Sequence, residues 1–345
     1  MRKRKQFPYK YQNGPVSVTI EADGTKIREW DDEKYGLEPK LDFPESIDSK
    51  ITASCDLCCE FCHEKSTPDG KHADLHKFAE MLDKSNWPAG IEMAVGGGNP
   101  LAHPHIDEFL EFCDEKEWLI NMTVNFKHIL SNQLHDHLIH HTYKDYLYHC
   151  FELGYIQGLG LSIDPKLMYK HIDKVAELAV KSNNNLVLHI IEGIHSYHET
   201  LNTLNAYICY CVMHDIKVTP KVLILGKKNF GRYKDIPKEQ QEKDEAESKV
   251  WKTMIFKFMQ FISRAGGVVS FDNLAIERLG VLSHLSEEEK RARYLGAEGT
   301  HTMYIDCVKE EYAINSTATK RFPIGDKKLR TIFKDIYKKR KELMP

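Results

Sequence analysis

Long apolar segments are missing from this 345-residue sequence. No stretch of about 18 consecutive apolar residues occurs, so a helix that spans a membrane is not expected. The basic start, MRKRK, continues with Gln, Phe and Pro rather than with an apolar stretch, and therefore does not read as a signal peptide. The formal net charge is only −3, which gives no global electrostatic argument for nucleic-acid binding. These absences favour a cytoplasmic protein without a membrane segment.

Cysteines are few and unevenly placed. There are nine, an odd number, and four of them fall within residues 55–62. In a secreted protein with a disulfide framework, the cysteines are typically distributed differently. The odd number and uneven placement of the cysteines in this chain suit a reducing cytosol better. The other five are scattered through apolar surroundings, at Cys113, Cys150, Cys209, Cys211 and Cys307.

The segment CDLCCEFC, which we call the cysteine loop, carries the most specific signal. Cys55, Cys59 and Cys62 have the spacing C-x3-C-x2-C, with aromatic Phe61 just before the last cysteine. Thiolates this close in sequence are suited to an iron–sulfur cluster, and three ligands on a four-iron cube leave one iron open. Zinc is an alternative, because the four cysteines also form two C-x2-C pairs. Structural zinc sites usually draw their pairs from separated segments, so the spacing favours the cluster over zinc or reduced structural thiols.

The pattern C-x3-C-x-aromatic-C resembles the cluster loop of the radical S-adenosylmethionine (radical SAM) enzymes. The resemblance implies that S-adenosylmethionine (SAM) binds the open iron of a [4Fe–4S] cluster and is cleaved reductively to a 5′-deoxyadenosyl radical. That radical would abstract a hydrogen atom from the substrate. Phe61 would lie along the adenine, and Cys58 departs from the usual loop as a spare or packing residue. The implied metal ligands are Cys55, Cys59 and Cys62.

Strand and helix patterns alternate from residue 47 onward. The strand candidates are residues 49–53, 91–95, 119–126, 157–164, 186–191, 217–225 and 268–271. The helical candidates between and after them are residues 75–84, 106–116, 131–153, 165–182, 197–214 and 237–262. This alternation predicts an α/β fold with a parallel sheet, namely a partial (β/α)6-type TIM barrel.

The sequence patterns at the two ends of the chain differ from the strand–helix alternation of its middle. Asp23 and Gly24 offer a turn between two short strands, which predicts an N-terminal hairpin. The tail predicts a small α+β extension, and it lacks the cysteine-rich set that many peptide-modifying relatives use for auxiliary clusters. We therefore expect a single-cluster member. The predicted regions are an N-terminal hairpin or extension (1–45), a radical SAM partial barrel (46–280) and a C-terminal extension (281–345).

A glycine run follows the second predicted strand. In parallel α/β barrels the working residues lie at the C-terminal ends of strands. Radical SAM enzymes commonly carry a Gly-Gly-Glu-Pro-like segment there, whose backbone contacts the methionyl amine. The resemblance therefore gives this backbone role to Gly97 and Gly98, and Asn99 takes the acidic position. An amide keeps an acceptor oxygen but lacks the charge that would pair with an ammonium group.

The ends of the next strands supply further candidates for cofactor contact. Ser162 stands where family members often place a polar residue on the ribose. Asp164 is an equally good helix N-cap before Pro165, and a lone strand histidine such as His189 is more often a satisfied core residue. The complete set of these candidates is Asn125, Ser162, Asp164, His189 and Leu225.

Substrate determinants are expected late in the chain. Asp272 is a candidate catalytic proton or hydrogen-bond partner, although a turn or cap explains it equally well. Cys307 is a candidate hydrogen-atom donor, and a buried structural thiol is the alternative. The segment KKNFGR, from Lys227 to Arg232, is a basic loop that either is solvated or grips an anionic substrate group. The lysine- and glutamate-rich residues 226–249 are the best candidate for a mobile connector.

The sequence does not choose among a peptide, a nucleoside and a small metabolite as substrate. An electron donor such as flavodoxin or ferredoxin is an expected partner. The basic ends, residues 2–5 and 327–341, leave nucleic acid open but unsupported. The competing hypothesis is a non-catalytic zinc or iron–sulfur protein whose cysteine loop is only structural.

Overall fold

The computed structural model describes residues 5–36, 38–293 and 298–343. Residues 2–4 of the basic N-terminal end lie outside the described residues. The N-terminal elements are β1 (Tyr9–Asn13), β2 (Val16–Ile20), β3 (Lys26–Glu29) and α1 (Asp32–Tyr35). The elements up to the middle of the chain are β4 (Ser46–Thr52), α2 (Leu75–Asp83), β5 (Glu92–Gly97), α3 (Ile106–Glu115), β6 (Leu119–Asn125), α4 (Phe126–Ile129) and α5 (Tyr143–Leu153).

The second half continues the alternation and then ends in a short antiparallel region. Its elements are β7 (Gly158–Ser162), α6 (Pro165–Lys170), α7 (Ile172–Lys181), β8 (Leu186–Ile191), α8 (Tyr197–Met213), β9 (Lys221–Leu225), α9 (Lys238–Arg264), β10 (Val268–Phe271), α10 (Asn273–Leu279), α11 (Glu287–Arg293), β11 (Thr302–Asp306), β12 (Glu311–Ala313), β13 (Phe322–Pro323) and α12 (Leu329–Leu343).

One large sheet organises the molecule. Strands β4 to β10 lie side by side in sequence order, and every neighbouring pair among them is parallel. Beyond β4 the sheet continues with β11, which is parallel to it, and then with antiparallel β12 and β13. Its two edges, β10 and β13, do not pair with each other among the described residues. The predicted α/β fold with a partial barrel is thus confirmed.

The two faces of this sheet differ in chemistry. The helix-covered face consists of buried aliphatic residues at alternate positions, among them Ile47, Ile51, Met93, Val95, Met122 and Ile224. The opposite, concave face carries polar residues and glycines that stay partly open, among them Asp48, Asn121, Thr123, Gly160 and His189. Because side chains alternate along a strand, the aliphatic positions build the core and leave the concave face free for a polar site.

The N-terminal sheet covers one end of the large sheet. Strands β2 and β3 form the predicted hairpin, and β1 pairs with β2 as a strand that the sequence analysis did not predict. Arg28 makes an ion pair of 2.6 Å with Glu45, which directly precedes β4. Lys221, at the start of β9, donates to the carbonyl of Asp23 at 3.4 Å. The hairpin therefore caps the N-terminal ends of the parallel strands, opposite to the edge where the cysteine loop begins.

One helical prediction was wrong in detail, and a second region, expected to be long and either continuous or broken, is indeed interrupted. Residues 165–182 form two helices, α6 and α7, instead of one. Residues 131–153 are helical mainly in α5, after a short 3-10 turn at Asp136–Leu138. Ile139 and His140 have positive φ angles of 53° and 58°, which interrupt a right-handed helix. Apolar spacing does not reveal such left-handed positions.

The tail shares the sheet of the barrel, because β11 pairs with β4. The boundaries at residues 45 and 280 stay predictions. In the part of the chain that the structure describes, every helix is too short or too polar to pass through a lipid bilayer.

Candidate functional site

The cysteine loop leaves the sheet at the C-terminal end of β4. Its two arms are bonded together: the Cys55 amide donates to the Thr67 carbonyl at 2.9 Å, and the Ala53 amide donates to the Lys71 carbonyl at 2.8 Å. These bonds close the loop at its base and present the cysteines at its tip. This is the edge of the sheet where a parallel barrel places its chemistry.

Three of the four thiols in the loop lie within electrostatic reach of one another. Burial raises the pKa of Cys55 to about 11, and the nearby thiols of Cys59 and Cys62 add to this rise. Burial also raises the pKa of Cys59, with a further contribution from Cys62. Thiols held together in this way fit a cationic metal centre, because bound metal lowers the thiol pKa and stabilises the thiolates. Cys58 is exposed and has a positive φ of 46°.

A second set of possible metal ligands overlaps with the first. One ligand atom each from Cys55, Asp56 and His128 lie within 4.8 Å of one another. His128 Nε2 is 2.8 Å from an Asp56 carboxylate oxygen, and the buried Nδ1 of His128 has no hydrogen-bond partner. A sulfur, oxygen and nitrogen set of this kind suits zinc. The zinc alternative therefore has a defined geometry as well.

The glycine run packs directly against the base of the cysteine loop. The Gly98 amide donates to the Thr52 carbonyl at 2.8 Å, and the Asn99 amide donates to the Ser54 carbonyl at 2.7 Å. Gly97 has a φ of +117°, and a Cβ atom there would overlap the Thr52 carbonyl oxygen. A Cβ on Gly98 would overlap the Ser54 carbonyl oxygen. Both glycines are thus required for the close approach of two backbone segments.

Gly96 and Asn99, on either side of these glycines, differ in what surrounds them. A Cβ on Gly96 would meet no atom within 4 Å, so open space lies beside the backbone there. Asn99 is only 1% exposed, and its Oδ1 accepts from the Leu101 amide at 3.2 Å. The Asn99 side chain therefore helps to build the turn, and its contact with a cofactor stays a prediction.

Three of the predicted polar residues form one row across the concave face. Asn125 pairs in register with Ser162, and Ser162 pairs with His189 on the next strand. Gly160 leaves room for the His189 ring, since a Cβ there would overlap the ring. Burial lowers the pKa of His189 to about 4, so its imidazole is neutral near pH 7. The structure brings these residues together as neighbours, while their ligand roles stay predictions.

The other residues predicted to contact the cofactor also interact with neighbouring protein groups. Asp164 caps helix α6 by accepting from the Leu167 amide at 2.9 Å, as the capping interpretation predicted. Leu225 pairs with Ile191 at the C-terminal end of the sheet. Phe61 extends from the cysteine loop to the end of β8, where its ring lies edge-on to His195 at 6.3 Å between centroids.

Lys228, rather than Lys227, faces the site. Lys227 is 2% exposed and points away to Glu245, at 3.1 Å. Lys228 Nζ lies 3.2 Å from His63 Nε2, just past the cysteine loop. Burial lowers the pKa of Lys228, and the surrounding carboxylates, including Asp48, oppose this shift. The sequence analysis placed both lysines in one basic loop and did not choose between them, because the chain direction after a strand is not visible in composition.

The two predicted catalytic residues lie in different places. Asp272 Oδ1 accepts from the Gly226 amide at 2.9 Å and from the Ala275 amide at 2.7 Å, which makes it the N-cap of α10. Its catalytic role stays a prediction. Cys307 lies on the helix-covered face, in a small pocket with Phe78 of α2. This position fits the structural alternative, and the role of Cys307 as a hydrogen-atom donor stays a prediction.

Arg232, the last residue of the basic loop, contacts the cysteine loop, which the sequence analysis did not predict. Its guanidinium donates to the Cys59 carbonyl at 3.0 Å and to the Ser66 carbonyl, while its amide donates to the Cys62 carbonyl at 3.0 Å. Gly231, with φ +71°, lies so close that a Cβ would be 2.5 Å from the Cys62 oxygen. Residues 229–235 therefore hold the cysteine loop from behind, which corrects the prediction of a mobile connector. A Gly-Arg pair is too common in sequences to indicate a contact with the cysteine loop.

We expect Arg232→Ala to lower the free energy of unfolding by about 2–3 kcal/mol, because it removes two charge-assisted hydrogen bonds to carbonyls. Urea unfolding of the full chain measures this change. Lys234→Ala is the matched control, since Lys234 is an exposed cation on the same segment. Equal unfolding midpoints for both variants would show that Arg232 does not hold the loop.

Comparisons with known proteins address the fold. No family model matches the sequence, and no curated protein matches it. Streptococcus suis SuiB bound to S-adenosylmethionine has a TM-score of 0.62 and 13% identity, over 97% of this chain and 89% of SuiB. SuiB bound to the precursor peptide SuiA has a TM-score of 0.57 and 15% identity, over 89% of this chain and 68% of that SuiB chain. The protein anSMEcpe with bound AdoMet has a TM-score of 0.53 and 14% identity, over 87% of this chain and 79% of anSMEcpe.

SuiB and anSMEcpe are radical SAM enzymes. This chain therefore shares the open α/β barrel fold of SuiB and anSMEcpe, and its cysteine loop follows β4. The resemblance read from the sequence is confirmed at the level of the fold.

Proposed function

We propose that this protein is a single-cluster radical SAM enzyme. The observation that carries the proposal is the contact between the two motifs: the Gly98 and Asn99 amides donate to the Thr52 and Ser54 carbonyls, at the base of the loop that carries the cysteines. These motifs are 40 residues apart in sequence. Their contact at the C-terminal edge of the sheet fits a cluster and a cofactor that share one site.

Cys55, Cys59 and Cys62 would hold a [4Fe–4S] cluster, and SAM would lie along the glycine turn and the row of Asn125, Ser162 and His189. When bound, the two groups supply one-electron cleavage of the sulfonium and a 5′-deoxyadenosyl radical that abstracts hydrogen. Arg232 keeps the loop in position. The neutral His189 imidazole offers a hydrogen bond without adding a charge. A reduced flavodoxin or ferredoxin in the cytoplasm would supply the electron.

The substrate is proposed to be a peptide. SuiB binds the precursor peptide SuiA, and anSMEcpe binds the peptide Cp18Cys. The concave face carries partly exposed polar side chains, among them Asn121, Thr123 and His189, which suits an extended polar chain. Lys228 is the cation that would meet it. A small-molecule substrate remains compatible with the same surface.

A second candidate function is a non-catalytic zinc protein. The observation behind it is the donor set of Cys55, Asp56 and His128. In that case the cysteine loop would be a structural element, and the glycine turn would only support it.

One experiment separates the two functions. Protein reconstituted anaerobically with iron and sulfide is reduced with dithionite in the presence of SAM. The enzyme hypothesis predicts about four irons per chain and formation of 5′-deoxyadenosine. One tightly held zinc per chain and no cleavage of SAM would support the zinc protein instead.

A further inference from the structure

A group of metal-binding side chains lies on the outside of the molecule, apart from the cysteine loop. His76 of α2, His105 at the N-cap position of α3 and Glu108 of α3 each contribute one ligand atom, and all three atoms lie within 4.8 Å of one another. His76 Nε2 is 3.4 Å from one Glu108 oxygen, and His105 Nδ1 is 3.2 Å from the other. One carboxylate thus lies between two imidazoles from two different helices.

We propose that His76, His105 and Glu108 form a binding site for Zn²⁺. Two imidazoles and one carboxylate are a common donor set for zinc with an open fourth position. Hard cations such as Mg²⁺ and Ca²⁺ prefer sites made entirely of oxygen, so they fit this set poorly. The site is independent of the proposed radical chemistry.

The packing below the site fixes the two helices at the required spacing. The rings of Phe78 and Phe109 stack at 5.8 Å between centroids, directly beneath the polar surface of α2 and α3. The side chains of His76 and His105 therefore start from a rigid base and approach each other at 5.1 Å between ring centroids. Little rearrangement is needed to bring three ligand atoms onto one ion, which favours binding.

A groove of about 340 Å³ opens beside the three ligands, with Leu75, Ala79 and Phe109 in its lining. The fourth position of a bound zinc ion would face this groove and hold water. All three ligand side chains are about half exposed or more, so the ion enters from solvent without unfolding. Bound zinc would link α2 to α3 and stabilise the folded state by mass action.

The test uses full-length protein whose cysteine loop is already filled by anaerobic cluster reconstitution. Zn²⁺ titration by calorimetry is compared for the wild type, His76→Ala and His105→Ala. We expect one site in the wild type and at least about tenfold weaker binding in each variant. Zn²⁺ should also raise the melting temperature of the wild type by about 2–4 °C but not that of the variants.

His140→Ala is the matched control. His140 makes a 3.2 Å pair with Asp136 on an exposed segment, so it is a histidine–carboxylate pair without a second imidazole. It should bind zinc as the wild type does. Cobalt(II) substitution provides a further control, because sulfur-to-cobalt charge-transfer bands would reveal binding at cysteine instead. Wild-type affinity in His76→Ala and His105→Ala, or cobalt spectra dominated by sulfur, would overturn the proposal.

Discussion

Cys59→Ser is expected to reduce the iron content of the reconstituted protein from about four to below about one per chain. Serine places a hard, protonated hydroxyl where a soft thiolate is needed, so the cluster loses one of its three protein ligands. Formation of 5′-deoxyadenosine from SAM should fall below detection as a result. Iron and sulfide analysis, together with product chromatography, measures both effects.

Cys58→Ser is the matched control in the same loop. Cys58 is exposed, and its left-handed backbone sets it apart from the other three cysteines. We expect this variant to retain about four irons and to cleave SAM. If Cys58→Ser loses its iron while Cys59→Ser keeps it, the assignment of the three ligands is wrong.

Gly97→Ala is expected to lower the free energy of unfolding by about 2–4 kcal/mol. Alanine disfavours the φ of +117°, and its Cβ would overlap the Thr52 carbonyl oxygen. Because Thr52 lies at the start of the cysteine loop, the resulting shift should also weaken SAM binding by more than about tenfold. Chemical unfolding and equilibrium binding of SAM to the reconstituted protein measure the two effects.

Gly96→Ala separates the effect of backbone strain from that of losing any glycine. No atom lies within 4 Å of a Cβ at Gly96, and its φ is not positive. Its stability should therefore stay within about 1 kcal/mol of the wild type. Equal stability for Gly97→Ala and the wild type would contradict the close contact between the glycine turn and the loop.

Much of the fold was predictable from local pattern. Residues 186–191 and 268–271 are strands with the predicted bounds, as β8 and β10. Both runs are apolar and β-branched, so the local signal agrees with the tertiary structure. The N-terminal strand β1 was missed, because YKYQN has no clear alternation and is held by its pairing with β2.

The candidate site was predictable only in part. The cysteine loop and the glycine run have distinctive spacings, which is why both were recognised. The structural role of Arg232 was not predicted, because it depends on contacts with Cys59 and Ser66, more than 160 residues away in sequence. Cys307 follows directly after β11, and its position depends on the pairing of β11 with β4, which no local pattern predicts.

The sequence alone determined the thiol spacing, the glycine turn and the order of strands and helices, since these depend on residue types at short separations. The tertiary structure alone decided that the glycine turn touches the loop, that Lys228 rather than Lys227 faces the site, and that two histidines and a glutamate converge on the outer surface. Those facts depend on which distant segments the packed core brings together, and no local sequence pattern specifies such long-range contacts.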